Sequence, residues 1–203
     1  MGKVKIKKSD IWIDMTPMSD VMVLLLCFFM LTSTFTKPEP VKVVTPASVS
    51  EIKVPEKDVL NILVDKEGKV FMSMDNQFNV AEVCAGVTDK FGITLNAKQT
   101  DAFKTDPMWG ASIDKIEAYL SLSESDRQKA LKELGIPLDS IDGGLSEFQM
   151  WVKEARSVNG DIKIALKADS DTPYKTIKRV MNELQDIEEN RYYLITQLKT
   201  AEE

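Results

Sequence analysis

An unbroken apolar run from Val21 to Leu31, headed by Asp20, constrains this chain more than any other feature. Read from Ile11 to Phe35, the stretch IWIDMTPMSDVMVLLLCFFMLTSTF has the length of a transmembrane helix. At about 1.5 Å rise per residue, Pro17 to Phe35 covers roughly 28 Å, against a hydrocarbon core of about 30 Å. Starting at Ile11 gives roughly 37 Å, which requires tilt or an interfacial first turn. Asp20 is then expensive: a carboxylate at the centre of a spanning helix costs roughly 2.5–3.5 kcal/mol on insertion scales. A cost of that size points to a partner, a water-filled path or a proton that comes and goes.

Lys3, Lys5, Lys7 and Lys8 precede the run, which gives it the basic start shared by signal peptides and cytoplasmic flanks. The rest does not suit a signal peptide. Thr32-Ser33-Thr34-Phe35 lacks an A-x-A cleavage pattern, and Asp14 and Asp20 precede the apolar centre. Leu26 and Phe28 beside Cys27 are too bulky for a lipoprotein site. The expectation is a retained single-span anchor over 11–35, with residues 1–10 cytoplasmic by the positive-inside rule. Everything from about Lys37 onward lies outside, which is the periplasm in a double-membraned bacterium.

No second run in the 203 residues approaches membrane length. The formal net charge is −6 although the first eight residues carry four lysines, so the external part is clearly acidic and nucleic acid is not an expected partner. The chain has no histidine, the commonest general base and metal ligand. No nucleophile–base arrangement, Gly-rich phosphate loop or metal-ligand spacing is present, so neither catalysis nor a metal or other cofactor is expected. Cys27 and Cys84 fall on opposite sides of the boundary, and Cys84 reads as a small buried apolar residue.

On a helix, Asp20 shares a face with Leu24, Cys27, Leu31 and Thr34 at i+4, i+7, i+11 and i+14. These are the candidate lining of a slot between helices, although ordinary packing is the simpler explanation for Cys27 and Thr34. A second reading stays open for Asp20. With Thr16 as N-cap and Pro17 at the first helical position, Asp20 falls in the opening turn, where the helix dipole alone favours a carboxylate. Asp14, nearer the lysines, reads as interfacial.

Beyond the span, residues 36–58 form an extended linker, because Pro38, Pro40, Pro46 and Pro55 forbid a helix. Residues 59–203 read as a small α+β domain with helices packed on one face of a sheet. Val59–Val64 and Val70–Met74 flank Lys66-Glu67-Gly68-Lys69, a hairpin signal. Asn79 with Glu82 resembles a capping box that opens a helix ending near Gly92. Ile162–Lys167 reads as a strand, and Thr172-Pro173 starts a helix with the stripe Ile177, Val180, Met181, Leu184 and Ile187. The Asp169-Ser170-Asp171 cluster reads as the turn before that helix, and Tyr192–Leu198 as a closing strand.

Ile13-Asp14-Met15-Thr16-Pro17-Met18-Ser19-Asp20-Val21-Met22 resembles the I-x-x-T-P-hydrophobic-x-D-V-M signature of the ExbD/TolR family of biopolymer-transport proteins. Pro46-Ala47-Ser48 is similar to the family's P-A-S segment. Ala165-Leu166-Lys167-Ala168-Asp169, with the later Tyr174 and Val180-Met181, is similar to its K-A-D strand end and following helix. The resemblance implies a stator unit of the inner membrane driven by proton-motive force. A few ExbD-like helices, including a second copy of this chain, would sit inside a ring of ExbB-like multi-span partners. A TonB-like protein would carry the work to outer-membrane transport, and Asp20 would match the ion-carrying aspartate. A TolR-like role, or a plain anchor, with a peptidoglycan-binding domain is the alternative.

The chain departs from the family pattern at about 92–160, where a short connection is expected and a helical insertion is read instead. Asn96–Thr105, Ser112–Leu122, Ser123–Leu134 and Leu145–Ser157 look helical, with Gly135 and Pro137 closing the third. Trp109 falls in a loop and Trp151 on the last helix, both read as core.

Overall fold

The computed structural model describes residues 14–33, 39–48, 55, 57–141 and 144–198. The chain divides into two compact units, Met1–Lys37 and Pro38–Glu203.

The first unit contains helix α1, Thr16–Thr32. Pro17 fixes its start, since proline is tolerated only in a first turn, where its missing N–H has no intrahelical partner anyway. The N-cap is Met15, not Thr16 as expected, and Pro17 is the second helical residue. Asp14 does the capping from one residue further out: one carboxylate oxygen accepts the Thr16 N–H at 3.0 Å and the Thr16 hydroxyl at 2.6 Å. The Thr32 hydroxyl turns back onto the Phe28 carbonyl at 2.8 Å, and Ser33 leaves the helix in extended conformation. At 17 residues the helix is roughly 25 Å long. No helix among the described residues is long and apolar enough to cross a membrane, and residues 11–13 and 34–35 of the expected span lie outside the described residues.

The second unit is α+β. Strands β1 (Ala47–Ser48), β2 (Val59–Val64), β3 (Val70–Met74), β4 (Lys163–Ala168), β5 (Tyr192–Ile195) and β6 (Gln197–Leu198) alternate with helices α2 (Gln77–Lys90), α3 (Ala97–Thr105), α4 (Ile113–Leu120), α5 (Glu124–Leu131), α6 (Glu147–Val158) and α7 (Tyr174–Asp186). Four strands form a sheet in the order β3-β2-β4-β5. β2 and β3 are the antiparallel hairpin, turned at Gly68, whose φ of +81° suits glycine. β4 and β5 add in parallel, so each needs a crossover. The first crossover carries α2 to α6, and the second is α7. Tyr192–Leu198 does not form one strand: it breaks at Thr196, and β6 leaves to pair with β1 in a separate two-stranded sheet.

Both faces of the sheet are covered. Leu60, Ile62 and Val64 of β2 are buried on one face, and Val59 and Leu63 on the other. Residues 39–48, expected as free linker, belong to this covering. Val41, Val43 and Thr45 alternate inward while Lys42 and Val44 point out. On the helical side, Gly86 lets α2 approach α6 so closely that an added Cβ would lie 2.0 Å from a Glu154 carboxylate oxygen. α2 begins at Asn76, whose side chain accepts the Phe78 N–H at 3.0 Å, three residues before the expected Asn79.

The insertion packs into the same core as the sheet. Phe103, Trp109 and Trp151 have mutual ring centroid distances of 5.4–5.9 Å, and both tryptophans are buried. Asp106 and Arg127 form an ion pair, 6% and 8% exposed, with the Tyr119 hydroxyl donating to Asp106 at 3.1 Å. Burial next to Asp106 pushes the Tyr119 phenol well above its ordinary range. The insertion also closes the hairpin edge of the sheet. Met72 and Trp109 exchange N–H···O bonds of 2.8 Å each, and the Ile136 N–H donates to the Val70 carbonyl at 2.9 Å.

Candidate functional site

The residues expected to carry chemistry lie on α1, and the helix is continuous through them. At 3.6 residues per turn, Asp20, Leu24, Cys27 and Leu31 fall in a stripe about 60° wide. Thr34 lies outside the described residues. Asp20 is the fifth helical residue, and the first turn contains no acid. That weakens the helix-dipole explanation, because the dipole's influence falls off within the first turn.

No residue of α1 is buried. Large apolar side chains are exposed all around it, with Leu24 at 62% and Leu31 at 87%. A helix with large apolar side chains exposed all around it has no predominantly polar face to present to water. Asp20 is the single ionisable side chain between Thr16 and Thr32, Cys27 apart. Residues 14–33 contain no Lys or Arg, so the described part of the first unit holds no cation to neutralise Asp20.

A second feature belongs to the Pro38–Glu203 unit. Asp169, read from sequence as a turn residue, does form that turn, accepting the Asp171 N–H at 3.1 Å. Its other oxygen accepts the Val44 N–H at 3.0 Å, and the Ser170 N–H donates to the Val44 carbonyl at 2.8 Å. Lys167 reaches Glu39 at 3.3 Å. The K-A-D strand end therefore clamps residues 39–48 to the domain. The Val44 N–H, then the Asp171 N–H, hold the Asp169 carboxyl below the usual carboxylate range. Sequence reasoning missed this clamp because its partners stand 125 residues apart. The alternation at Val41, Val43 and Thr45 was the available signal.

Little else has reactive character. Burial pushes the Cys84 thiol up to about 12, which leaves almost no thiolate near neutral pH. Among the described residues, no group of three or more Cys, Asp and Glu side chains is placed to hold a metal ion.

Residues 7–199 match the family model for biopolymer transport protein ExbD/TolR. The chain belongs to the ExbD/TolR family. The match takes in α1, the clamp at Asp169 and the whole stretch 92–160. No curated protein and no solved structure matches the chain. As an ExbD/TolR protein it is a component of biopolymer transport that works in association with a membrane. The matched stretch also contains Thr16, Pro17 and Asp20 of the T-P-x-x-D sequence.

Proposed function

We propose that this ExbD/TolR protein is the ExbD-like subunit of an inner-membrane motor that uses proton-motive force to energise TonB-dependent outer-membrane transport. α1, with its flanking residues, occupies the membrane inside a ring of ExbB-like helices next to a second copy of itself. The N-terminus faces the cytoplasm and the Pro38–Glu203 unit faces the periplasm, where it meets a TonB-like partner. Asp20 takes up and releases a proton in each cycle. Each elementary charge moved supplies about 2.3 kcal/mol per 100 mV, enough to bias a conformational step.

The observation that carries this reading is Asp20 itself: one carboxylate, in the second turn of an all-round apolar helix, with no Lys or Arg in the described part of its own unit. Asp20→Asn keeps the shape and removes the proton site. Uptake through TonB-dependent importers should fall at least tenfold, while the tryptophan fluorescence of the domain and co-purification with the ExbB-like partner persist. Normal uptake in Asp20→Asn would overturn the proposal. Intact uptake combined with a leaky outer membrane would assign the chain to the TolR-like role.

A further inference from the structure

We propose that Lys163 and Arg191 form a binding site for an oxyanion, a carboxylate or phosphate group, where β4 and β5 begin. The two strands run parallel with Ile164 opposite Tyr192; Lys163 opens β4, Arg191 is the residue just before β5, and both line one cavity. Adjacent strands lie about 4.8 Å apart, which keeps the starts of β4 and β5 close together. Like charges held close together at neighbouring strand ends repel one another. The protein nonetheless places two cations there, both exposed, in a chain whose net charge is −6. Carboxylates answer nearby cations: Lys167 has Glu39, and Arg156 has Glu189. Lys163 and Arg191 have no ion pair among the described residues.

A cavity of about 520 Å³ opens beside the two cations, lined also by Asn190, Tyr193, Arg156 and Asp161. Its back wall is already arranged against repulsion. Arg156 donates to both oxygens of Glu189 and to the Gly160 and Ile162 carbonyls, at 2.9 and 2.7 Å, so those oxygens are engaged. Asp161, the one carboxylate of the lining, interacts with Arg156. The remaining donors are the Lys163 ammonium, the Arg191 guanidinium, the Asn190 amide and the tyrosine hydroxyl. An ammonium beside a guanidinium fork suits a doubly charged or bidentate oxyanion, whose binding would remove the repulsion of the two cations.

The test uses the full chain in detergent, melted in sodium phosphate, sodium succinate or sodium chloride at equal ionic strength. Phosphate or succinate should raise Tm by roughly 2–5 °C over chloride at saturation. Lys163→Gln and Arg191→Gln should each reduce that rise, and the double variant should abolish it. In chloride, each single variant should melt at or above the wild-type temperature, because one of two like charges is gone. A rise with phosphate alone assigns a phosphate ligand, and with succinate alone a carboxylate ligand. Equal melting in all three salts, or a rise that survives in the double variant, overturns the site. Asp20→Asn should show the wild-type rise, which keeps this test separate from that of the ion-carrying helix.

Discussion

Gly110→Ala is the substitution that most directly tests how the insertion is joined to the sheet. A Cβ at this position would lie 2.2 Å from Cδ1 and 2.8 Å from Cε1 of the Phe71 ring. Phe71 is fully buried, so its ring cannot swing into solvent. Two responses are open. The ring and its neighbours can shift, at an overpacking cost of about 1–3 kcal/mol. Alternatively, residues 108–110 can peel away from β3, losing the two 2.8 Å bonds between Met72 and Trp109. That loss is worth roughly 1 kcal/mol per bond, with further loss from exposing Trp109. The cheaper route sets the limit, so the substitution should cost about 2–3 kcal/mol, or roughly 4–12 °C in Tm for a domain of this size. Melting followed by tryptophan fluorescence reports the event directly, since Trp109 and Trp151 belong to the affected cluster. Phe71→Val removes the ring edge and costs about 2–3 kcal/mol by itself. In the double variant the two costs should be less than additive by at least 1 kcal/mol, because the methyl group enters space the ring has left. An unchanged Tm for Gly110→Ala, or strict additivity in the cycle, would refute this account of the edge.

Three further outcomes follow from named contacts. Arg127→Met should destabilise by about 3–5 kcal/mol in urea titration, because it leaves the Asp106 carboxylate buried without its partner. Arg127→Met combined with Asp106→Leu should recover most of that loss. Asp169 has a depressed folded value, so its contribution to stability is complete above its ordinary value of 3.8 and is lost as pH falls through the folded value. Tm of Asp169→Asn should accordingly be lower than wild type at pH 7, depend less steeply on pH below about 4, and be accompanied by faster proteolysis at Lys42. Cys84, with its thiol pushed up to about 12 and its side chain buried, should resist iodoacetamide at pH 8 in the native protein and react on unfolding.

Sequence periodicity revealed those parts of the fold whose stabilising partners are near in the chain. The hairpin over Val59–Val64 and Val70–Met74, and the stripe of α7 that buries Val180 and Leu184, both repeat a local period against one core. Boundaries set by competing caps were harder. Asn79 with Glu82 imitates a capping box, yet Asn76 takes the role because its side chain reaches the Phe78 N–H, and the helix gains a turn. At α1, Thr16-Pro17 reads as cap and first residue, but Asp14 supplies the oxygen and moves the cap outward.

Residues 39–48 failed to be read for a different reason. Proline density argues correctly against a helix there, but says nothing of what an extended segment lies against. The answer is written at Asp169, which takes the Val44 N–H across 125 residues, and at β6, which pairs with β1 from the far end of the chain. The alternation at Val41, Val43 and Thr45 marks a covered face but does not name the partners. Asp20 is the opposite case, legible because what surrounds it is local. Its neighbours from Thr16 to Thr32 are apolar on every side, so a charge among them stands out without knowledge of any partner. The structure then contributes two restrictions. It sets Asp20 beyond the first turn, where the dipole no longer accounts for it, and the described part of its own unit contains no Lys or Arg. A carboxylate so placed has to find its proton or its partner elsewhere.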